Sequence, residues 1–141
     1  MKVLLKNVRL SFPSLFKTEQ YAGEDTEKYA ATFLIPKSDT KTVTAIEQAC
    51  KQALVEKYGE GKVPKGFKMP LVDGDDKEYQ GYADCVCIKA NTKKRPTLVN
   101  RDKTPIVEED GILYGGCYVN ASIDVWVMDN SYGKKVLASL N

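Results

Sequence analysis

The clearest pattern in the chain is the alternation over residues 114–128, YGGCYVNASIDVWVM. Cys117, Val119, Ala121, Ile123, Val125 and Val127 share one parity, and Tyr118, Asn120, Ser122, Asp124, Trp126 and Met128 share the other. Successive side chains of a strand point to opposite faces, so the first set is expected in a core and the second on an outer face. Gly115 and Gly116 predict a bulge or sharp coil where this strand begins. Residues 129–133, DNSYG, then turn the chain, and 134–140 reads as the partner strand.

Residues 2–12 predict a first strand of mixed pattern, with Leu4, Val8, Leu10 and Phe12 on one parity and Val3, Leu5, Asn7 and Arg9 on the other. That mixture reads as burial on both sides near its start. Pro13 ends the ladder, having no N–H to donate. An exposed loop over 14–27 carries Glu19, Glu24, Asp25 and Glu27, and a second strand follows at 29–35, YAATFLI. Over 40–58, Val43, Ile46, Cys50, Ala53, Leu54 and Tyr58 recur at spacings of three and four, which predicts one amphipathic helix. Ser38 or Asp39 can cap it, and Gly59 supplies its stop.

Residues 60–80 show no period, and an aperiodic loop of about 20 residues is usually functional or disordered. Its first half is basic around Phe67 and Met69, and its second half holds Asp73, Asp75, Asp76 and Glu78. Lys65 and Phe67 could grip a nucleotide as a cation and a ring; the alternative is a Phe67 tucked into the core. Residues 82–90 predict another strand, with a turn at 93–96 and a short return strand at 97–101, a basic hairpin. One helix among about six strands predicts a small closed or nearly closed β-barrel. The fold class is therefore mainly β, with one packed helix and long loops, in a single domain over 1–141.

The net charge is only +2, but the signs are segregated. Lys89, Lys93, Lys94, Arg95, Arg101 and Lys103 surround the single acid Asp102, and residues 2–17 carry Lys2, Lys6, Arg9 and Lys17 with no acid. Basic clusters on one face would line a groove for a polyanion. Lys and Pro also guard exposed sheet edges, so the hairpin by itself leaves both readings open. Tyr118 and Trp126, eight residues apart among small polar neighbours, would make a stacking platform for bases. If the helix covered that face, Trp126 would instead be core.

The chain has no histidine. Ser-His, Cys-His and His-metal mechanisms are thereby removed, and a protein that is not an enzyme becomes the expectation. Cys50, Cys85, Cys87 and Cys117 include no Cys-x-x-Cys pair and read as buried free thiols in a reducing compartment, with no metal or other cofactor. The acids Asp73, Asp75, Asp76, Glu108, Glu109 and Asp110 leave a Mg²⁺-dependent nuclease as a competing idea, although acid runs in Gly-rich loops are far more often solvated turns than sites. No run of 18 apolar residues occurs, and Lys6, Asn7 and Arg9 interrupt the N-terminal apolar stretch, so neither a membrane span nor a signal peptide is expected. The expected location is the cytoplasm.

KNVRLSFPSLF at the start, KYAATFLIPKSD before the helix, KANTKKRPTLVNRD in the hairpin and LYGGCYVNASIDVWVMDN in the long strand resemble the single-stranded DNA-binding proteins of tailed phages and prophages. The resemblance runs in order over nearly the whole chain. It implies an oligonucleotide/oligosaccharide-binding (OB) barrel that coats single-stranded DNA during phage replication or recombination in a bacterial host. Binding would be independent of sequence, and no catalysis or small-molecule substrate is implied. It would put Lys89, Lys93, Lys94, Arg95 and Arg101 on phosphates and Tyr118 and Trp126 near bases, with Arg9 and Phe12 as further candidates. Two departures stand out. The common barrel order places its helix after the third strand, whereas only two strands clearly precede this one, so the first strand is bent into two or the topology is elaborated. Such proteins also often end in an acidic tail that recruits replication partners, whereas this sequence stops at Asn141 within a strand pattern; the expectation is a trimmed or short variant. A phage structural or interaction module and an RNA-binding barrel remain as other readings.

Overall fold

The computed structural model describes residues 1–77, 79, 81–130 and 133–140; Glu78 and Gln80, the expected turn residues Ser131 and Tyr132, and Asn141 lie outside the described residues. The elements are β1 (Lys2–Ser14), β2 (Gln20–Tyr21), β3 (Glu24–Asp25), β4 (Tyr29–Pro36), α1 (Thr40–Tyr58), β5 (Leu71–Asp73), β6 (Cys85–Thr92), β7 (Tyr118–Asn130) and β8 (Gly133–Leu140). Strands pair in the order β4-β1-β7-β8-β6, and a further β4–β6 pairing closes the ring. Only the β6–β8 contact is parallel among these pairings. This is a five-stranded barrel of OB type, with β5 added to the outer edge of β6 and β2–β3 forming a separate small ribbon. The helix lies between the second and third barrel strands, β4 and β6, and β1 remains one strand. The topology is elaborated; the first strand is not divided.

Two irregularities in β1 explain its mixed pattern. The register slips between Leu5 and Val8 and again between Ser11 and Ser14, where Asn7 and Phe12 adopt φ of 52° and 44°. The first bulge switches parity, so Val3 and Leu5 before it and Val8 and Leu10 after it all point inward. Leu4 is consequently 66% exposed, and the expected two-sided burial does not occur. The second bulge turns Phe12 out of the core, leaving it 59% exposed.

The alternation of β7 is as expected: Ile123 and Val125 are buried, while Tyr118 and Trp126 are exposed. The strand starts at Tyr118, because residues 114–117 form a turn in which the Gly116 N–H donates to the Leu10 carbonyl (2.7 Å) at a φ of 103°. In α1, Asp39 caps the first turn through Thr42, its Oδ2 accepting from the hydroxyl at 2.8 Å. Gly59 stops the helix with φ 97° and ψ 154°. Ile46, Cys50 and Leu54 join the barrel core. Each buried Ile or Leu contributes roughly 1.5–3 kcal/mol, against the few tenths that separate ordinary residues in helix propensity, so packing fixes α1. The helix therefore plugs the barrel interior and leaves the outward face of β7 open.

The expected basic hairpin is absent. Both edges of β6 are already occupied, by β4 along its length and by β5 and β8 on the other side, so residues 97–101 have no edge to return along. They begin a separate tight loop instead, in which Val99 bridges Pro105 and the Ile106 N–H donates to the Leu98 carbonyl at 2.9 Å. Tyr82 is also outside β6. It is buried with Leu34 and Cys87 against the outer side of the barrel. The loop before it is tied down by Lys37, whose Nζ lies 2.9 Å from Asp73 and 2.6 Å from Asp75. Among the described residues no helix is long and apolar enough to cross a membrane.

Candidate nucleic-acid interface

The loop that replaces the hairpin forms one wall of a cleft of about 1010 Å³. Pro96, Leu98, Arg101 and Lys103 line that wall, and Asn7, Tyr118, Asn120 and Ser122 line the barrel side. Pro96 is buried and Leu98 packs on the core, which leaves the charged residues pointing outward. Asp102 shapes the bend between the cations, its Oδ1 accepting from the Thr104 hydroxyl (2.6 Å) and N–H (3.1 Å). Those two bonds hold its carboxyl below the usual carboxylate range. The Asn7 N–H, freed by the first bulge of β1, donates to Asn120 Oδ1 at 2.8 Å.

Tyr118 is 63% exposed and stands directly across from Arg9 in the β1–β7 register. Arg9 is half-buried and runs between two glycines. A Cβ on Gly81 would lie 3.0 Å from the guanidinium, and one on Gly116 would lie 3.4 Å from it. Both glycines also carry positive φ, so each position admits Arg9 by backbone conformation and by its missing side chain. Among the described residues no carboxylate lies within ion-pair range of Arg9. An exposed ring beside an uncompensated guanidinium is chemistry suited to a base and its phosphate.

The other anticipated cations divide. Lys93, Lys94 and Arg95 are exposed on the segment leading from β6 into the cleft wall. Lys89 is exposed on β6 but bound to Glu19 at 2.9 Å. Lys65 and Phe67 lie beyond the helix, where Phe67 packs on the core and against Tyr58 with ring centroids 5.7 Å apart. Phe67 has the core role rather than joining the cleft. Trp126 is 42% exposed, and its Nε1 donates to Ser139 Oγ at 2.9 Å. It shares the outward face with Tyr118 but sits about 26 Å along β7 from it, at roughly 3.3 Å per residue.

Two aromatic residues here are absent from the sequence-predicted site residues. Tyr79 is 54% exposed and meets Phe12 edge to face, with centroids 5.0 Å apart. Tyr82 lies beneath both and shares a 2.7 Å hydrogen bond with Ser11. Burial raises its hydroxyl pKa, so the phenol stays protonated. Two aromatics flanking Gly81 were the available signal, but the stretch has no period to say which way they face.

Three of the six candidate metal acids have local partners. Asp73 and Asp75 bind Lys37, and Asp110 accepts from the Val107 N–H at 3.0 Å. Cys50, Cys85, Cys87 and Cys117 are free. Burial pushes the Cys50 thiol up to about 11 and raises Cys85 and Cys87 as well, which disfavours the thiolate form of each.

The chain is 42% identical over 148 residues to putative protein p50 of Acyrthosiphon pisum secondary endosymbiont phage 1, spanning 99% of this chain and 80% of that one. Its fold superposes on the single-stranded DNA-binding protein from bacteriophage Enc34 in complex with ssDNA with a TM-score of 0.79 at 26% identity, covering 99% of this chain and 82% of the other. Gp2.5, a single-stranded DNA-binding protein encoded by bacteriophage T7, shares the fold at a TM-score of 0.62 and 16% identity, with 99% and 84% of the two chains covered. A family model described as "Enterobacter phage Enc34, ssDNA-binding protein" matches residues 1–141, and the chain belongs to that family.

Proposed function

We propose that this protein binds single-stranded DNA without regard to sequence, coating and protecting it during phage or prophage replication or recombination in the cytoplasm of the bacterial host. It acts as one domain and as a binding protein, without catalysis. The observation that carries the reading is the placement of exposed Tyr118 across a cleft from Arg101 and Lys103, with Arg9 beside it and without an acidic partner among the described residues. Cations take the phosphates while an aromatic face takes a base, and every base offers such a face. Family membership supports the same polymer. Lys93, Lys94 and Arg95 extend the phosphate track toward β6, and Trp126 offers a second ring on the outward face.

The test is an anisotropy titration of fluorescent oligo-dT at two salt concentrations, with unlabelled duplex DNA and RNA of equal length as competitors. Tight, salt-sensitive binding that duplex fails to displace is expected, and the RNA competition ranks the two single-stranded polymers. Absence of binding at low salt would overturn the reading.

A further inference from the structure

We infer that Phe12 and Tyr79 form a second base-stacking step, reached from the Tyr118 cleft across Arg9, so that the single strand crosses β1 onto the loop before β6. The inference rests on the single-stranded DNA reading above and adds residues and a direction to it. Phe12 is the first ground. At φ 44° a bulky residue occupies a region that costs energy, and the bulge places its ring in solvent when the parity of Leu10 would have buried it. Within the fold that ring meets only Tyr79 and Tyr82 among the described aromatics and stays more than half exposed, and a stacked base would cover what they leave open.

The second ground is preorganisation. Tyr79 is exposed, yet the loop bearing it is anchored by the buried Tyr82, by the Tyr82–Ser11 hydrogen bond and by Lys37 on Asp73 and Asp75. Gly74 is wedged so closely that a Cβ there would collide with the Tyr82 and Cys85 carbonyl oxygens. The edge-to-face contact of Phe12 with Tyr79 leaves ring faces open to a base.

Continuity chooses the occupant. The Arg9 guanidinium lies against Gly81, two residues from Tyr79, and against Gly116, two residues from Tyr118, so one cation with no acidic partner among the described residues is flanked by both aromatic groups. From Arg9 to Phe12 along β1 is about 10 Å, roughly the rise of three stacked nucleotides at 3.4 Å each. An apolar protein partner would bring no charge to that guanidinium, whereas a phosphate neutralises it.

The experiment is a length series of oligo-dT from about 4 to about 16 nucleotides, titrated against the parent, Tyr79→Ala and Tyr79→Phe. The parent and Tyr79→Phe are expected to gain affinity together as the oligonucleotide outgrows the cleft. Tyr79→Ala is expected to match them on the shortest oligonucleotide and to bind the longest about 5- to 150-fold more weakly, the range for one lost stack. A parent that binds while Tyr79→Ala matches it at every length, or loses equally at every length, overturns the inference and leaves the functional reading standing. A parent that binds no oligo-dT overturns both. Photocrosslinking of iodouracil-substituted oligo-dT to the parent needs no variant: a crosslinked peptide containing Phe12 or Tyr79 supports the track, and crosslinks confined to the peptides of Tyr118 and Trp126 overturn it.

Discussion

Glu19 holds Lys89: the two carboxylate oxygens lie 2.9 and 3.1 Å from the ammonium nitrogen, tying the segment ahead of β2 to the middle of β6. Lys89 is thereby a neutralised cation in the ground state, although by sequence it belongs to the basic cluster. Glu19→Gln is expected to release it. Each phosphate newly neutralised on a single strand adds about 0.7 to the slope of log affinity against log salt. The variant should therefore bind oligo-dT more tightly at low salt, with a slope steeper by about that amount, whereas Lys89→Ala in the parent should leave the slope unchanged. Exposed pairs contribute little to stability, so the comparison is made on folded protein.

Lys93, Lys94 and Arg95 carry no partner of this kind among the described residues. Replacing all three with Ala is expected to flatten the salt slope by about 2, three contacts at about 0.7 each. Salt-series anisotropy checks it. Parent-like binding at every salt concentration would mean that this segment stands clear of the nucleic acid.

Much of the barrel was legible because its signals are local. The alternation of 118–128 and the apolar stripe of 40–58 each follow from one period, and Asp39 and Gly59 mark the helix ends with side chains that act on adjacent backbone. The failures all depended on partners distant in sequence. Whether 97–101 returns along β6 is decided by β4, β5 and β8 having taken its edges, which no property of TLVNR records. The parity of β1 is reset by a first bulge stabilised from Asn120, and a second bulge then turns Phe12 away from the side that Val8 and Leu10 share. In the site, Tyr118 could be read from parity, while Tyr79 could not, since its orientation comes from packing on Phe12 and Tyr82.

Trp126 is the single tryptophan of the chain, so intrinsic fluorescence reports one position. If the strand extends along the outward face of β7, oligo-dT is expected to quench that emission, and Trp126→Ala should bind about 5- to 150-fold more weakly with an unaltered salt slope. Stacking releases few counterions, which is why affinity and slope separate here. Unquenched emission at saturation would place the β7–β8 surface outside the track.

The Lys37 cluster links stability to pH and to the site. Lys37 depresses the Asp73 and Asp75 carboxyls below their ordinary value of 3.8, and its own ammonium pKa is raised in return. Carboxylates depressed in the folded state contribute stability that is fully present above their unfolded value and is lost as pH falls through the folded one. The Lys37 contribution is full below its ordinary 10.5 and is lost as pH rises beyond it. Lys37→Met should accordingly lower the melting temperature between pH 5 and 9 and narrow its gap to the parent as pH falls below about 4, read by thermal unfolding across pH. A gap that stays constant to pH 2 would show that the cluster contributes nothing electrostatic. Because the same carboxylates anchor the loop carrying Tyr79, with Asp75 Oδ1 also accepting from the Asp84 N–H at 2.9 Å, the variant should lose affinity for long oligo-dT more than for short. Neutralising one lysine on the far side of that loop would then act on the nucleic acid through position rather than charge.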